Sequence, residues 1–272
     1  MRGFNAQVIS CTFLIIFADV FFIAGCTTVA EEFASKAAIL NMKREVVTGA
    51  RFQHVIYIKT GPLSKTLHIY LDGDGIPWIV GRPSDDPTPR NPMVLQLMAL
   101  DKAPAVYVGR PCYHGVKTLG ACSSRFWLED RYSEEVVASL STVVKKLLEQ
   151  GGYEKVAWFG HSGGGALAVL LASRFSQTTS VVTVAANLDL VNWAAYTRPN
   201  DLSGSLNPAS LTPLSRQVRQ RHYAGGKDSV VPPALMAKAA SHLGSGLIVL
   251  DDYDHVCCWE QIWPAVLDEL AE

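Results

Sequence analysis

Residues 160 to 164 read Gly160-His161-Ser162-Gly163-Gly164, set between the apolar run Lys155 to Phe159 and a small-residue helical pattern from Gly165 to Arg174. The stretch demands a strand, a sharp turn and a helix in immediate succession. A serine on such a turn takes up a strained backbone conformation that only small neighbours tolerate, and its hydroxyl then stands above the end of a sheet. Ser162 is therefore the candidate nucleophile. A glycine-rich turn that merely joins strand to helix is the plain alternative, because short motifs also match by chance. The rest of the chain weighs against it.

With 272 residues, of which 49% are hydrophobic, the chain buries one substantial core, and a single α/β domain suffices. A formal net charge of -1 and the lack of a long basic run argue against nucleic acid as a partner. From Arg51 onward, strand-like runs at Phe52 to Lys59, Leu67 to Leu71, Ala105 to Gly109, Val156 to Gly160, Val181 to Ala186, His222 to Gly225 and Leu247 to Leu250 alternate with helical patterns. Those patterns cover Ser133 to Gln150, Gly163 to Phe175, Pro233 to Leu243 and Trp259 to Leu270. Such alternation predicts an α/β domain over residues 51–272, with a mostly parallel sheet and helices on both faces. Thr60-Gly61-Pro62 between the first two strands reads as a hairpin-like start. Pro77 to Pro92 and Val191 to Leu214 fit no element; they read as ligand-binding loops at the carboxyl ends of strands or as simple surface connections.

A serine hydroxyl is a weak nucleophile at neutral pH, so it needs a base, and the base needs an orienting acid. Asp228 follows the strand and glycine turn Tyr223 to Gly226, and His255 follows the next strand in Asp251-Asp252-Tyr253-Asp254-His255. These supply the acid and the base, with Asp189 the rival acid. The other six histidines, His161 beside the nucleophile included, read as packed or solvated residues, with His161 pointing away from it on the turn. An oxyanion needs two preorganised N–H donors. Gly163 is the first candidate; the second is the amide of Asp74, or of Gly75, in Leu71-Asp72-Gly73-Asp74-Gly75, unless that stretch is only an Asp-Gly turn closing a strand. No metal or organic cofactor is expected.

The amino terminus is of another kind. Val8 to Ile23 is strongly apolar, follows Arg2 and leads into Ile23-Ala24-Gly25-Cys26, a secretory signal pattern shorter than the ~20 residues of a spanning helix. The last four residues resemble a bacterial lipobox, which implies a signal peptide over residues 1–25, lipid attachment at Cys26 and a tether over residues 26–50. Thr27 in place of an aspartate implies, by the same resemblance, the outer membrane, with the domain facing the periplasm. Asp19 and the single charge of Arg2 depart from the pattern and leave a plain signal peptide, with a secreted or periplasmic protein, or a membrane anchor open. In an exported chain Cys112 and Cys122, close together in one irregular stretch, are expected to form a disulfide. Cys257 and Cys258 are then either an adjacent pair or two reduced thiols; a zinc site lacks the paired spacing.

Taken as a set, Leu71 to Gly75 with Trp78, Arg82 to Pro89, Arg110 to Tyr113, Arg131 to Ser133, Gly160 to Gly164, Gly225 to Asp228 and Asp254 to Trp259 resemble the recurring blocks of a family of exported bacterial α/β hydrolases, over roughly residues 50 to 268. The resemblance implies the α/β-hydrolase fold and a triad of Ser162, Asp228 and His255, and leaves the substrate undefined. The leading expectation is a serine hydrolase acting on a small-molecule or lipid-like acyl substrate through an acyl-enzyme. An acyltransferase would use the same residues; a noncatalytic envelope-binding protein would keep only the scaffold; a peptidase would lack a large gating domain.

Overall fold

The computed structural model describes residues 27–118, 120–197 and 202–271, so the signal segment and Cys26 lie outside the described residues. The described chain begins with a capping box: the Glu31 amide donates to Thr28 Oγ1 while the Thr28 amide donates to the Glu31 carboxylate. This starts helix α1 (Val29–Ile39), which is followed by strand β1 (Lys43–Thr48). There follow β2 (Gln53–Lys59), β3 (Thr66–Leu71), a short hairpin of β4 (Trp78–Ile79) and β5 (Arg82–Pro83), α2 (Met93–Leu100), β6 (Ala105–Val108) and α3 (Glu134–Gly151). The second half holds β7 (Lys155–His161), α4 (Gly163–Ala172), β8 (Thr178–Val184), α5 (Leu190–Thr197), β9 (Arg219–Gly225), α6 (Pro233–His242), β10 (Leu247–Leu250) and α7 (Trp263–Ala271).

Eight strands form one sheet in the order β1-β2-β6-β3-β7-β8-β9-β10. The β1–β2 and β2–β6 pairs are antiparallel and every other pair is parallel. Because successive side chains of a strand point to opposite faces, the sheet serves two cores. Ile69, Val106 and Trp158 pack with Leu140 of α3 and Leu167 of α4 on one face, and their neighbours Tyr70, Tyr107 and Phe159 pack with α1, α2 and α7 on the other. The predicted mostly parallel sheet, covered on both sides, is what forms.

Three expectations change. The β2–β3 hairpin does not exist, because β6 lies between the two strands, antiparallel to β2 and parallel to β3. A parallel crossover through α2 has to return beside β3, and it takes the place a hairpin partner would have held. Of the expected tether over 26–50, residues 29–48 belong to the domain instead. Within them, α1 seats Phe33, 2% exposed, against the rings of Tyr57, Tyr107 and His114, and β1 closes the sheet edge. The charged start of β1, Lys43-Arg44-Glu45, hides an edge strand from an apolar-run reading. Finally, the two unassigned stretches hold the β4–β5 hairpin and α5.

Cys112 and Cys122 are bonded, with Cα atoms 5.6 Å apart. Cys257 and Cys258 are bonded to each other, and Cys257 is exposed. Loop closure by the first bridge contributes roughly 2–3 kcal/mol in a chain-entropy view. A Cys112→Ala/Cys122→Ala protein is expected to unfold at lower urea by that amount; an unchanged midpoint, or peptide mapping that finds both thiols free, removes the bridge from the fold's supports.

Three histidines are sealed in the cores. Burial lowers the pKa of His54 to about 4, of His114 to about 3 and of His222 to about 4. Each has a folded pKa below its unfolded value, so between about 6.5 and 4 the unfolded chain binds protons that the folded one refuses, and stability falls with pH through that window. Urea midpoints taken from pH 7 down to 4.5 should drop; a flat or rising series contradicts the assignment.

Candidate active site

Ser162 caps the N-terminus of α4 with φ 52° and ψ -123°, a conformation costly for any residue with a side chain. The glycines around it serve close approach. A Cβ at Gly160 would strike the Gly164 backbone, one at Gly164 would strike the Leu71 carbonyl, and one at Gly163 would strike the Asp74 carboxylate and the Tyr132 hydroxyl. None of the three has positive φ; the strain sits on Ser162 itself.

His255 lies on the loop between β10 and α7, where its Nε2 is 3.1 Å from Ser162 Oγ and its Nδ1 is 2.9 Å from Asp228 Oδ2. The other oxygen of Asp228 accepts the amides of Val230 and Val231, both at 2.8 Å. With that carboxylate as acceptor, Nδ1 carries the proton and Nε2 is left to accept from the serine. The glycine turn before Asp228 works by proximity: a Cβ at Gly225 would lie 2.8 Å from the Asp254 carbonyl oxygen, and one at Gly226 2.7 Å from Asp251 Cα. The Gly226 and Lys227 amides donate to Leu250 and Tyr253, binding the acid loop to the histidine loop. Asp189 stands elsewhere. Its carboxylate accepts from Asn192 and Asn207, holding the start of α5.

His161 does not follow the sequence reading. Its Nε2–H donates to the His255 carbonyl oxygen at 2.9 Å, its Nδ1 is 3.8 Å from Asp72 Oδ1, and the two imidazole rings are 4.9 Å apart. The residue before Ser162 thus pins the loop that carries His255. Nothing in the motif distinguishes this from packing, because the partner is a backbone atom 94 residues away.

The loop after β3 crosses in front of Ser162. A Cβ at Gly73 would sit 3.6 Å from Ser162 Oγ, and the Gly73 amide is engaged by Asp72 Oδ1 at 2.8 Å. Gly163, in the first turn of α4, has an amide free of intrahelical bonding, and Asp74 supplies the next amide along the loop. The Asp74 side chain lies against Gly163 and is held in a largely buried cluster. Its carboxylate accepts from Arg110 and Arg131, both at 2.7 Å, and from Tyr132, while Tyr113 donates to its carbonyl. Burial pushes the Asp74 carboxyl up, but Arg131 and Arg110, with the Tyr132 hydroxyl, outweigh it and hold it below the usual range. Asp74→Ala leaves two buried guanidinium groups unpaired, which costs about 3–5 kcal/mol. Denaturant unfolding should show a loss of that size; a change below about 1 kcal/mol would mean the cluster relaxes into water.

Among the described residues no group of three or more His, Cys, Asp or Glu side chains is placed to hold a metal ion. A family model for the α/β hydrolase fold matches residues 112–222. The chain has the α/β-hydrolase fold. Solved structures similar to it include an esterase from Pyrococcus furiosus, 13% identical with a TM-score of 0.61 over 86% of this chain and 92% of that one. A proline iminopeptidase-related protein from Thermus thermophilus is 16% identical with a TM-score of 0.61, over 85% and 97%. A member of the α/β serine hydrolases without a lid, from Xanthomonas campestris, is 12% identical with a TM-score of 0.53, over 84% and 91%. No curated protein matches the sequence. At such identities the structures speak for the fold.

In this α/β-hydrolase fold a cleft of about 470 Å³ opens over Ser162 and His255. Ile76, Pro77, Trp78, Met93, Trp193 and Val230 give it apolar walls, and Arg131 reaches it from the buried cluster. Trp193 is held by its indole N–H donating to the Val230 carbonyl at 3.0 Å. Both stretches that the sequence left unassigned therefore contribute walls.

Proposed function

We propose that this protein is a serine hydrolase that cleaves an ester, thioester or amide through an acyl-enzyme. The observation that carries the reading is the hydrogen-bonded chain from Ser162 through His255 to Asp228, at 3.1 and 2.9 Å. Ser162 Oγ attacks the acyl carbon as its proton passes to His255 Nε2, and Asp228 stabilises the resulting imidazolium. The amides of Gly163 and Asp74 receive the oxyanion. His255 returns the proton to the leaving group; a water molecule, deprotonated by the same imidazole, then releases the acid. An alcohol in place of that water would make the reaction an acyl transfer by the same residues. The apolar walls favour a hydrophobic acyl group over a charged one.

The same reading puts the domain outside the cytoplasm, anchored by lipid at Cys26. The Ile23 to Cys26 pattern supports it, as does the Cys112–Cys122 bridge, which suits an oxidising compartment. A fluorophosphonate probe followed by peptide mass mapping tests the chemistry, with chromogenic esters of increasing acyl length run in parallel. Label on the Ser162 peptide and turnover of at least one ester are expected; an unlabelled protein that turns over none is a scaffold without catalysis. An unmodified Cys26 in the mature chain removes the anchor alone.

A further inference from the structure

The β4–β5 hairpin ends in an expensive residue. Val80 and Gly81 occupy its two central turn positions with φ 48° and 72°, the pattern of a tight hairpin turn in which asparagine or aspartate is the ordinary first residue. A β-branched side chain in that region is a true outlier. Burial does not repay it, since Val80 is 97% exposed and its neighbours Trp78 and Ile79 are exposed as well. Other exposed apolar side chains gather around the same cleft: Val230 and Val256 line it, and Tyr196 of α5 donates its hydroxyl to the Ser229 carbonyl next to Val230.

A second, independent observation concerns where the chain enters the domain. Cys26 lies two residues before Thr28, the N-cap of α1, so anything attached to it starts within about 7 Å of Thr28. Thr28, Val29 and Ala30 share a crevice with Asp85, Asp86 and Gly115, and the Gly115 amide donates to Asp86 at 3.1 Å. These partners belong to the loops that follow β3 and β6, at the end of the sheet where Ser162 stands. Asp85 and Asp86 come directly after the hairpin, whose ladder is continued by the Ser84 amide donating to the Pro77 carbonyl. The entry point and the apolar rim share one end of the domain.

From these two observations we propose that the protein lies with its cleft against a lipid bilayer, the Val80 tip inserted among the acyl chains, and takes an acyl lipid from that surface as substrate. The inference rests on the anchored-hydrolase reading above and adds the orientation and the lipid phase to it. So short a connection gives the domain no room to turn its cleft away, and the exposed apolar rim then meets hydrocarbon rather than water.

The test uses the full chain, reconstituted in vesicles of phosphatidylethanolamine and phosphatidylglycerol, with an environment-sensitive fluorophore on Val80→Cys or on Leu63→Cys. Leu63 is fully exposed in the loop between β2 and β3, ahead of β3 and hence at the opposite end of the sheet. Emission from position 80 should shift to the blue and be quenched by nitroxide lipids, while position 63 stays dark to both. Equal responses at the two positions, none at position 80, no association with vesicles, or a vesicle-independent shift that grows with protein concentration, the mark of a second copy on the tip, each overturn the orientation. Val80→Asp should keep turnover of a water-soluble ester within about twofold of wild type and lower turnover of a vesicle-embedded ester by at least about fivefold; equal effects on both defeat the lipid-phase claim. Loss of soluble-ester turnover in the wild type points instead at the hydrolase reading, and the mass of Cys26 reports on the anchor separately.

Discussion

Ser162→Ala is expected to lower turnover of any ester the protein hydrolyses by about 10⁶, with fluorophosphonate labelling abolished, since in a comparable protease removing the serine costs nearly as much as removing the whole triad. The hydroxyl lies 3.1 Å from His255 Nε2, and alanine leaves nothing at position 162 to form the acyl bond. The substitution should fold. Ser162 holds its backbone conformation through its amide bonded to the Val184 carbonyl at 3.0 Å and through the close glycine contacts around it, neither of which involves the hydroxyl. Matching circular dichroism and denaturation midpoints are the control. An alanine variant that labels and turns over like wild type transfers the chemistry to another nucleophile.

Asp228→Asn is expected to cost about 10⁴ in turnover, the size of the same change in a serine protease whose triad aspartate becomes asparagine. Asparagine can keep its oxygen on the amides of Val230 and Val231, which Asp228 Oδ1 now accepts. Its NH₂ group then faces His255 Nδ1, and a donor there forces the proton onto Nε2, the tautomer that cannot accept from Ser162. The fold survives while the base is disabled. Asp189→Asn should change turnover by less than about threefold and affect stability by about 1 kcal/mol, the worth of a helix-start contact, because its carboxylate serves the start of α5. The reverse ranking in two folded variants would give the acid's role to Asp189.

The two carboxylates show where sequence reasoning reaches and where it stops. Asp228 was legible because order along the chain carries information in a parallel sheet: the loops after successive strands open at one end, so an acid after β9 and a histidine after β10 arrive near a serine after β7. Asp189, after β8, satisfies the same rule, and only its bonds to Asn192 and Asn207 show that it is otherwise engaged.

What the sequence by itself determined is therefore local: the strand, turn and helix around Ser162, the alternation that makes the sheet, and the order of the three side chains. Each follows from periodicity, turn chemistry or chain direction over a few neighbouring residues. Only the tertiary structure decided that β6 inserts between β2 and β3, that residues 29–48 belong to the domain, that His161 pins the His255 carbonyl, and that Asp74 turns its carboxylate into Arg110 and Arg131. These depend on partners dozens of residues away, chosen by packing and by the need to pair every buried charge, and such pairings leave no periodic trace in the chain.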